Sequence, residues 1–113
     1  MTERPHLARL LTLETPIKSS DGAGGFHTAW NGLGRHWAEV LTRSARTHSG
    51  ETSPLARSEY QITVRAAPVG SDTRPKPGQR FREGFRIYTI NAVGETDQAG
   101  RYLTCFAHEE EVV

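Results

Sequence analysis

The side chains in this sequence that could do chemistry are few and scattered. Five histidines, His6, His27, His36, His48 and His108, never fall into a His-Glu-x-x-His or comparable ligand spacing. We read them as ordinary polar residues and expect no metal and no cofactor. Cys105 is the sole cysteine and sits inside an apolar run. A small buried thiol without a cationic neighbour stays protonated and is a poor nucleophile. Asp21-Gly-Ala-Gly-Gly25 is glycine-rich, but it has neither the spacing of a dinucleotide site nor the Lys-Ser/Thr of a phosphate loop; a hairpin turn explains it better. There is no Gly-x-Ser-x-Gly elbow and no convincing carboxylate pair. Nucleophilic, acid–base and metal-assisted catalysis therefore all lack a residue set, and the chain does not read as an enzyme.

Arg74, Lys76, Arg80, Arg82 and Arg86 form the notable basic grouping. On a hairpin, Arg80, Arg82 and Arg86 are expected to project from one side. A solvated face balanced by Asp72 and Glu83 is the ordinary reading; the sharper one sets that face against phosphates or an acidic neighbouring subunit. Whole-chain charge does not choose between them, because 14 Lys and Arg stand against 13 Asp and Glu. Residues 1–50 carry six basic and four acidic groups and residues 51–113 eight and nine, so neither half is polarised. Phe26, Trp30 and Trp37 are expected in the core, with an interface as the alternative.

The elements that must position these residues read as strands. Gly and Pro together make 17 of 113 residues and the hydrophobic fraction is 35%, which favours many turns over long helices. Leu11 and Leu13 alternate with Thr12 and Glu14 in a strand limited by Pro16. The Asp21–Gly25 turn joins it to a second strand, about 26–33, and after Gly32-Leu-Gly34 a third covers His36–Leu41. Tyr60, Ile62 and Val64 alternate with Gln61, Thr63 and Arg65 in the cleanest period of the chain. Pro77 to Val93 encodes a tight hairpin turning at Gly84, where positive φ is needed. Tyr102–His108 is apolar on both faces, as in a central strand or one covered by another subunit. Ser44–Ser58 is polar and small, so a flexible loop is expected over about 44–58. The whole predicts one domain, 1–113: mainly β, a small antiparallel barrel or sandwich of six to seven strands, with a long polar loop and little helix. One cysteine and no signal-like apolar run at the N-terminus fit a reducing, aqueous compartment without membrane attachment.

The order of these pieces resembles the head-tail joining proteins of tailed phages, including those of gene transfer agents. Members of that family look like a "Leu-x-x-Leu/Ile-x-Leu/Ile" strand, an Asp-Gly-x-Gly-Gly turn, a Trp soon after and a "Trp-Ala-Glu-Val" strand. Here stand Leu10-Leu-Thr-Leu13, Asp21-Gly-Ala-Gly-Gly25, Trp30 and Trp37-Ala-Glu-Val40. The family continues with an "Ile-Thr-Ile/Val-Arg" strand and a "Gly-x-Arg-Phe/Val" hairpin. Tyr60-Gln-Ile-Thr-Val-Arg65, Gly78-Gln-Arg-Phe81 and Gly84-Phe-Arg-Ile-Tyr-Thr-Ile-Asn-Ala-Val93 are similar to these. The match runs from about Leu7 to Glu109, and it departs at Ser44–Ser58, which lacks the apolar helical pattern of many relatives.

The resemblance implies a structural virion protein of the head-tail connector: a "stopper" ring, generally six-fold, below the portal and adaptor and above the tail terminator or tail proteins. Double-stranded DNA passes through such a ring, and it is assembled in the host cytoplasm. By the same resemblance the 44–58 loop faces the lumen and helps retain DNA, with Arg46, His48 and Arg57 as candidate DNA-channel or inter-subunit contacts; the basic grouping itself adds Arg80, Arg82 and Arg86 as further candidates for such contacts. A tail terminator ring is the nearest alternative. A barrel binding single-stranded nucleic acid is the next, which the near-neutral charge disfavours.

Overall fold

A computed structural model describes residues 4–48 and 55–112, and among them there is no helix. Six strands follow in chain order: β1 (Arg9–Ser20), β2 (Phe26–His48), β3 (Leu55–Arg65), β4 (Arg80–Glu83), β5 (Arg86–Glu95) and β6 (Tyr102–Val112). All pair antiparallel in the order β1-β2-β3-β6-β5-β4, and β4 returns to β1, so the sheet closes on itself as a barrel rather than splitting into a sandwich. Closure removes every sheet edge within the ring. With six strands the interior is narrow enough for side chains alone to fill it.

The period-two pattern decides which side chains go inside. Leu11 and Leu13 of β1, Tyr60, Ile62 and Val64 of β3, Tyr88 and Ile90 of β5, and Leu103, Cys105 and Ala107 of β6 point inward with Ala38 and Phe81. Nearly all are fully buried. The connection between β3 and β4 adds Pro75 and Gln79 to the buried set. The Gln79 side chain accepts from Lys76 N at 2.9 Å, and its carbonyl accepts from Ile90 N, pinning the connection to β5.

Three expectations are corrected. Gly32-Leu-Gly34 does not break a strand: β2 runs unbroken for 23 residues, and the irregularity is absorbed by a bulge opposite Leu13/Glu14, with Gly34 at φ 122°. Pro16 does not end β1, which continues to Ser20. Beyond Glu14 only β2 pairs with β1, and an open edge tolerates a residue with no N–H to donate. The segment expected as a loop is largely strand as well. Residues 44–48 of β2 pair with 55–59 of β3 through Arg46↔Arg57 and His48↔Leu55, while residues 49–54 lie outside the described set. β6 pairs with the other side of β3 there, from Glu59↔His108 to Leu55↔Val112, and polar composition concealed the arm because backbone pairing continuing from the barrel needs no apolar face.

The β1–β2 hairpin likewise extends past the ring. Residues 16–20 and 26–29 are exposed on both strands. The radius of gyration, 15.6 Å, exceeds the roughly 13 Å of a compact chain of this length, as projecting arms require.

Candidate functional site

The inward phase of the strands places charged residues, as well as apolar ones, inside one end of the barrel. Arg9 is in register with Leu11 and Leu13, and Glu109 with Leu103, Cys105 and Ala107. Arg86 and Glu83 face each other across the β4–β5 turn. Arg9 donates to both oxygens of Glu83, Nε at 3.0 Å to Oε2, and Nη2 also reaches the Tyr88 hydroxyl at 2.9 Å. Arg86 forms a fork on Glu109 at 3.0 and 3.1 Å, and its Nη2 also donates to the Tyr60 hydroxyl, which donates to Glu109 at 3.0 Å. The Tyr60 and Tyr88 rings meet edge to face at 5.1 Å beneath this network.

Fork geometry between guanidinium and carboxylate favours the charged forms of both. The hydrogen bond from Arg9 holds the Glu83 carboxyl below its ordinary value, and the bond from Arg86 does the same for Glu109. The Arg9 and Arg86 guanidinium groups are raised by those same bonds, and burial pushes the Tyr88 hydroxyl up. In each ion pair, Arg9–Glu83 and Arg86–Glu109, the partner holds the charged form. Such an arrangement locks the end of the ring and offers no acid or base poised to exchange a proton.

Outside the ring a second cluster forms on Glu14. Its Oε1 accepts from Arg80 Nε at 2.7 Å and its Oε2 lies 3.4 Å from Arg82 Nε. The Arg80 guanidinium also stacks 3.9 Å from the Trp30 ring centroid. Arg80 and Arg82 therefore share the outer face, as alternation demands. Arg86 does not join them, because it lies in phase with Tyr88 and points inward; the expected single basic face of three arginines is not formed. Arg57 lies 3.8 Å from Glu59 on the β2–β3 arm. Arg46 and His48 are in β2, and their side chains lie outside the described set.

The aromatic residues expected in the core are largely outside it. Trp37 is 55% exposed and Phe26 71%, and Trp30 is half-buried under Arg80. Trp37 lies between the inward-facing His36 and Ala38, and Phe26 begins β2 at the tip of the hairpin. Leu41, two positions beyond Glu39, adds a second exposed apolar side chain on the outer face of β2, and Phe85 at the β4–β5 turn is fully exposed. The second face of β6 is partly covered by the chain itself. The Thr104 hydroxyl bonds Thr96 at 2.7 Å and Arg43 lies over the Phe106 ring at 5.3 Å.

Asp21 organises the hairpin turn foreseen for Asp21–Gly25. Its Oδ1 accepts from Ala23 N at 2.7 Å and Gly25 N at 3.0 Å, and these bonds lower its carboxyl. Cys105 is buried, and desolvation pushes its thiol up to about 12. Among the described residues no three His, Cys, Asp or Glu side chains gather as metal ligands.

Sequence reasoning missed Arg9 and Glu109 as partners. The signal was present as polar residues in phase with a core stripe, which at a barrel end marks an interior ion pair.

A closed β ring with a locked end, projecting arms and exposed aromatics has the design of an assembly module. The chain belongs to the phage head completion protein family, whose pattern matches residues 2–111. Among solved structures, a chain in the virion of a native gene transfer agent particle is 52% identical, with a TM-score of 0.88, over 97% of this chain and 100% of that one. No curated protein matches the chain. The family is one of structural virion proteins, in agreement with the resemblance read from the sequence.

Proposed function

We propose that this chain is the head-tail joining component of a phage-like particle, gene transfer agents included. In this reading it forms a six-membered stopper ring that connects the portal and adaptor of the DNA-filled head to the tail. The observation that carries the proposal is the 52% identity, end to end, with a chain of a gene transfer agent virion. A closed ring heterologously associated needs two different complementary surfaces per subunit. The two β arms, together with the Trp37–Leu41 strip and Phe85, supply protruding and receiving elements for such contacts. The β2–β3 arm, bearing Arg46, His48 and Arg57, is the element proposed to face packaged double-stranded DNA and help retain it.

The test is electron microscopy of particles made without the protein. Filled heads should accumulate without tails, and adding back the purified chain should restore tailed particles. Tailed, DNA-containing particles at the usual level in its absence would exclude the joining role.

A further inference from the structure

Most arginines of known surroundings in this chain are already engaged. Arg9, Arg80, Arg82, Arg86 and Arg101 each have a carboxylate, and Arg74 donates to the Ala67 carbonyl. As with Arg35, the side chains of Arg4 and Arg65 have no hydrogen-bond or ion-pair partner among the described residues. Both line the same cavity, of about 400 Å³, with Pro5, Leu7, Arg101 and Tyr102. This cavity lies where β3 ends and β6 begins, and none of its lining residues belongs to the Arg9–Glu83 or Arg86–Glu109 pairs. Arg65 pairs with Tyr102 across the two strands, and the segment before β1 is held nearby by the bond from His6 N to Glu39 Oε2 at 2.9 Å.

The third guanidinium is held in place. Asp97 accepts from Arg101 Nε at 3.1 Å and from Arg101 N at 3.0 Å, which orients Arg101 at the cavity wall while neutralising one charge of the three. Two positive charges are left over a polar cavity. We propose that this cavity is a phosphate-binding site, with Arg4 and Arg65 as the principal donors and Arg101 as the oriented third.

The chemistry favours phosphate over carboxylate. A carboxylate offers two coplanar oxygens and one charge, enough for a single fork, as the interior pairs of this chain show. A phosphate group offers three or four oxygens in a tetrahedral array and up to two negative charges, which suits a cavity lined by guanidinium groups from three different segments. The volume exceeds what a bare phosphate fills and lies in the range of small-ligand sites. The organic group carrying the phosphate therefore has room, be it a nucleotide or the sugar of a nucleic-acid backbone. The proposal stands apart from the joining role, because it concerns binding by the isolated chain.

Inorganic phosphate titrated into the full chain by calorimetry at low ionic strength, where screening is weak, tests it. One phosphate per chain is expected, and Arg65→Ala and Arg4→Ala should each weaken it about tenfold, the loss typical of a charge-assisted hydrogen bond. Lys18→Ala, on the β1–β2 arm, should leave it unchanged. Arg4 precedes the first strand, so its substitution carries the test even where Arg65→Ala disturbs folding. A short duplex DNA titrated in parallel assigns the source: equal weakening by Arg65→Ala identifies backbone phosphate, and phosphate binding without it identifies a free phosphate or nucleotide, both supporting the site. Absence of phosphate binding, binding indifferent to both arginine substitutions, or acetate bound as tightly as phosphate would each overturn the proposal.

Discussion

Arg9 and Glu83 are 74 positions apart in the chain and meet inside the ring, Arg9 Nε donating to Glu83 Oε2 at 3.0 Å. Their meeting closes a weak seam. β1 and β4 share only the pairs Thr12↔Arg82, Leu13↔Phe81 and Glu14↔Arg80, the shortest ladder of the barrel. Side chains reinforce it on both faces, Arg9–Glu83 within and Glu14 with Arg80 and Arg82 outside. The seam is where loss of one carboxylate should weaken the whole closure.

Glu83→Ala is predicted to cost about 1–2 kcal/mol, the value of charge-assisted hydrogen bonds after discounting for the roughly one-third exposure of both partners. Arg9 keeps the Tyr88 hydroxyl, so the loss is partial. Urea denaturation of wild type and variant measures it; an unchanged midpoint would show that the inner pair contributes nothing to closure.

Glu14→Ala should cost more, about 2–3 kcal/mol. Glu14 and Arg80 are only 12% and 15% exposed at the side chain, and removing the carboxylate leaves Arg80 with the Trp30 ring as its remaining partner. The same denaturation series ranks the two variants. A smaller loss for Glu14→Ala than for Glu83→Ala would contradict the assignment of the outer pair as the stronger clamp.

Much of the barrel was legible because alternation in β1 and β3 is clean and the inward positions of β5 and β6 are mostly apolar. Leu11, Ile62, Ile90 and Cys105 illustrate it. What was not legible depended on strand phase and on pairing partners far away. Trp37 looked like a core residue by type, but His36 and Ala38 take the inward phase and turn it out. Arg86 looked like a companion of Arg80 and Arg82 until the Gly84 turn shifted its phase inward. The Ser44–Ser58 segment looked like a loop because polar residues obscure a strand whose stability comes from its neighbour's backbone.

Cys105 should resist alkylation in the folded protein. Burial and a thiol pushed up to about 12 deny both access and thiolate at neutral pH. Mass spectrometry after iodoacetamide treatment should find it unmodified until denaturant is added. Labelling in native buffer at the rate of the unfolded chain would mean that the barrel opens readily at β6.

Acidification should weaken the fold in two separable stages. His36 faces inward against the Phe81 ring, 6.0 Å away and edge to face, and its Nε2 is buried with no hydrogen-bond partner among the described residues. Burial lowers its pKa below the ordinary 6.5, against an opposing hydrogen bond with the Thr73 backbone. Between the folded and unfolded values the unfolded chain binds more protons, so stability rises with pH there; it is complete above about 6.5 and declines as pH falls through that window. Glu83 and Glu109 act lower down. Hydrogen bonds from Arg9 and Arg86 set their folded values below 4.5, so their contribution is complete above 4.5 and is lost as pH falls through the lowered values. Urea midpoints collected from about pH 8 to about pH 3 should show both declines. His36→Leu should abolish the upper one and spare the lower, and Glu83→Gln should shrink the lower one and spare the upper. An upper decline that persists in His36→Leu would assign it to another group and remove His36 as its cause.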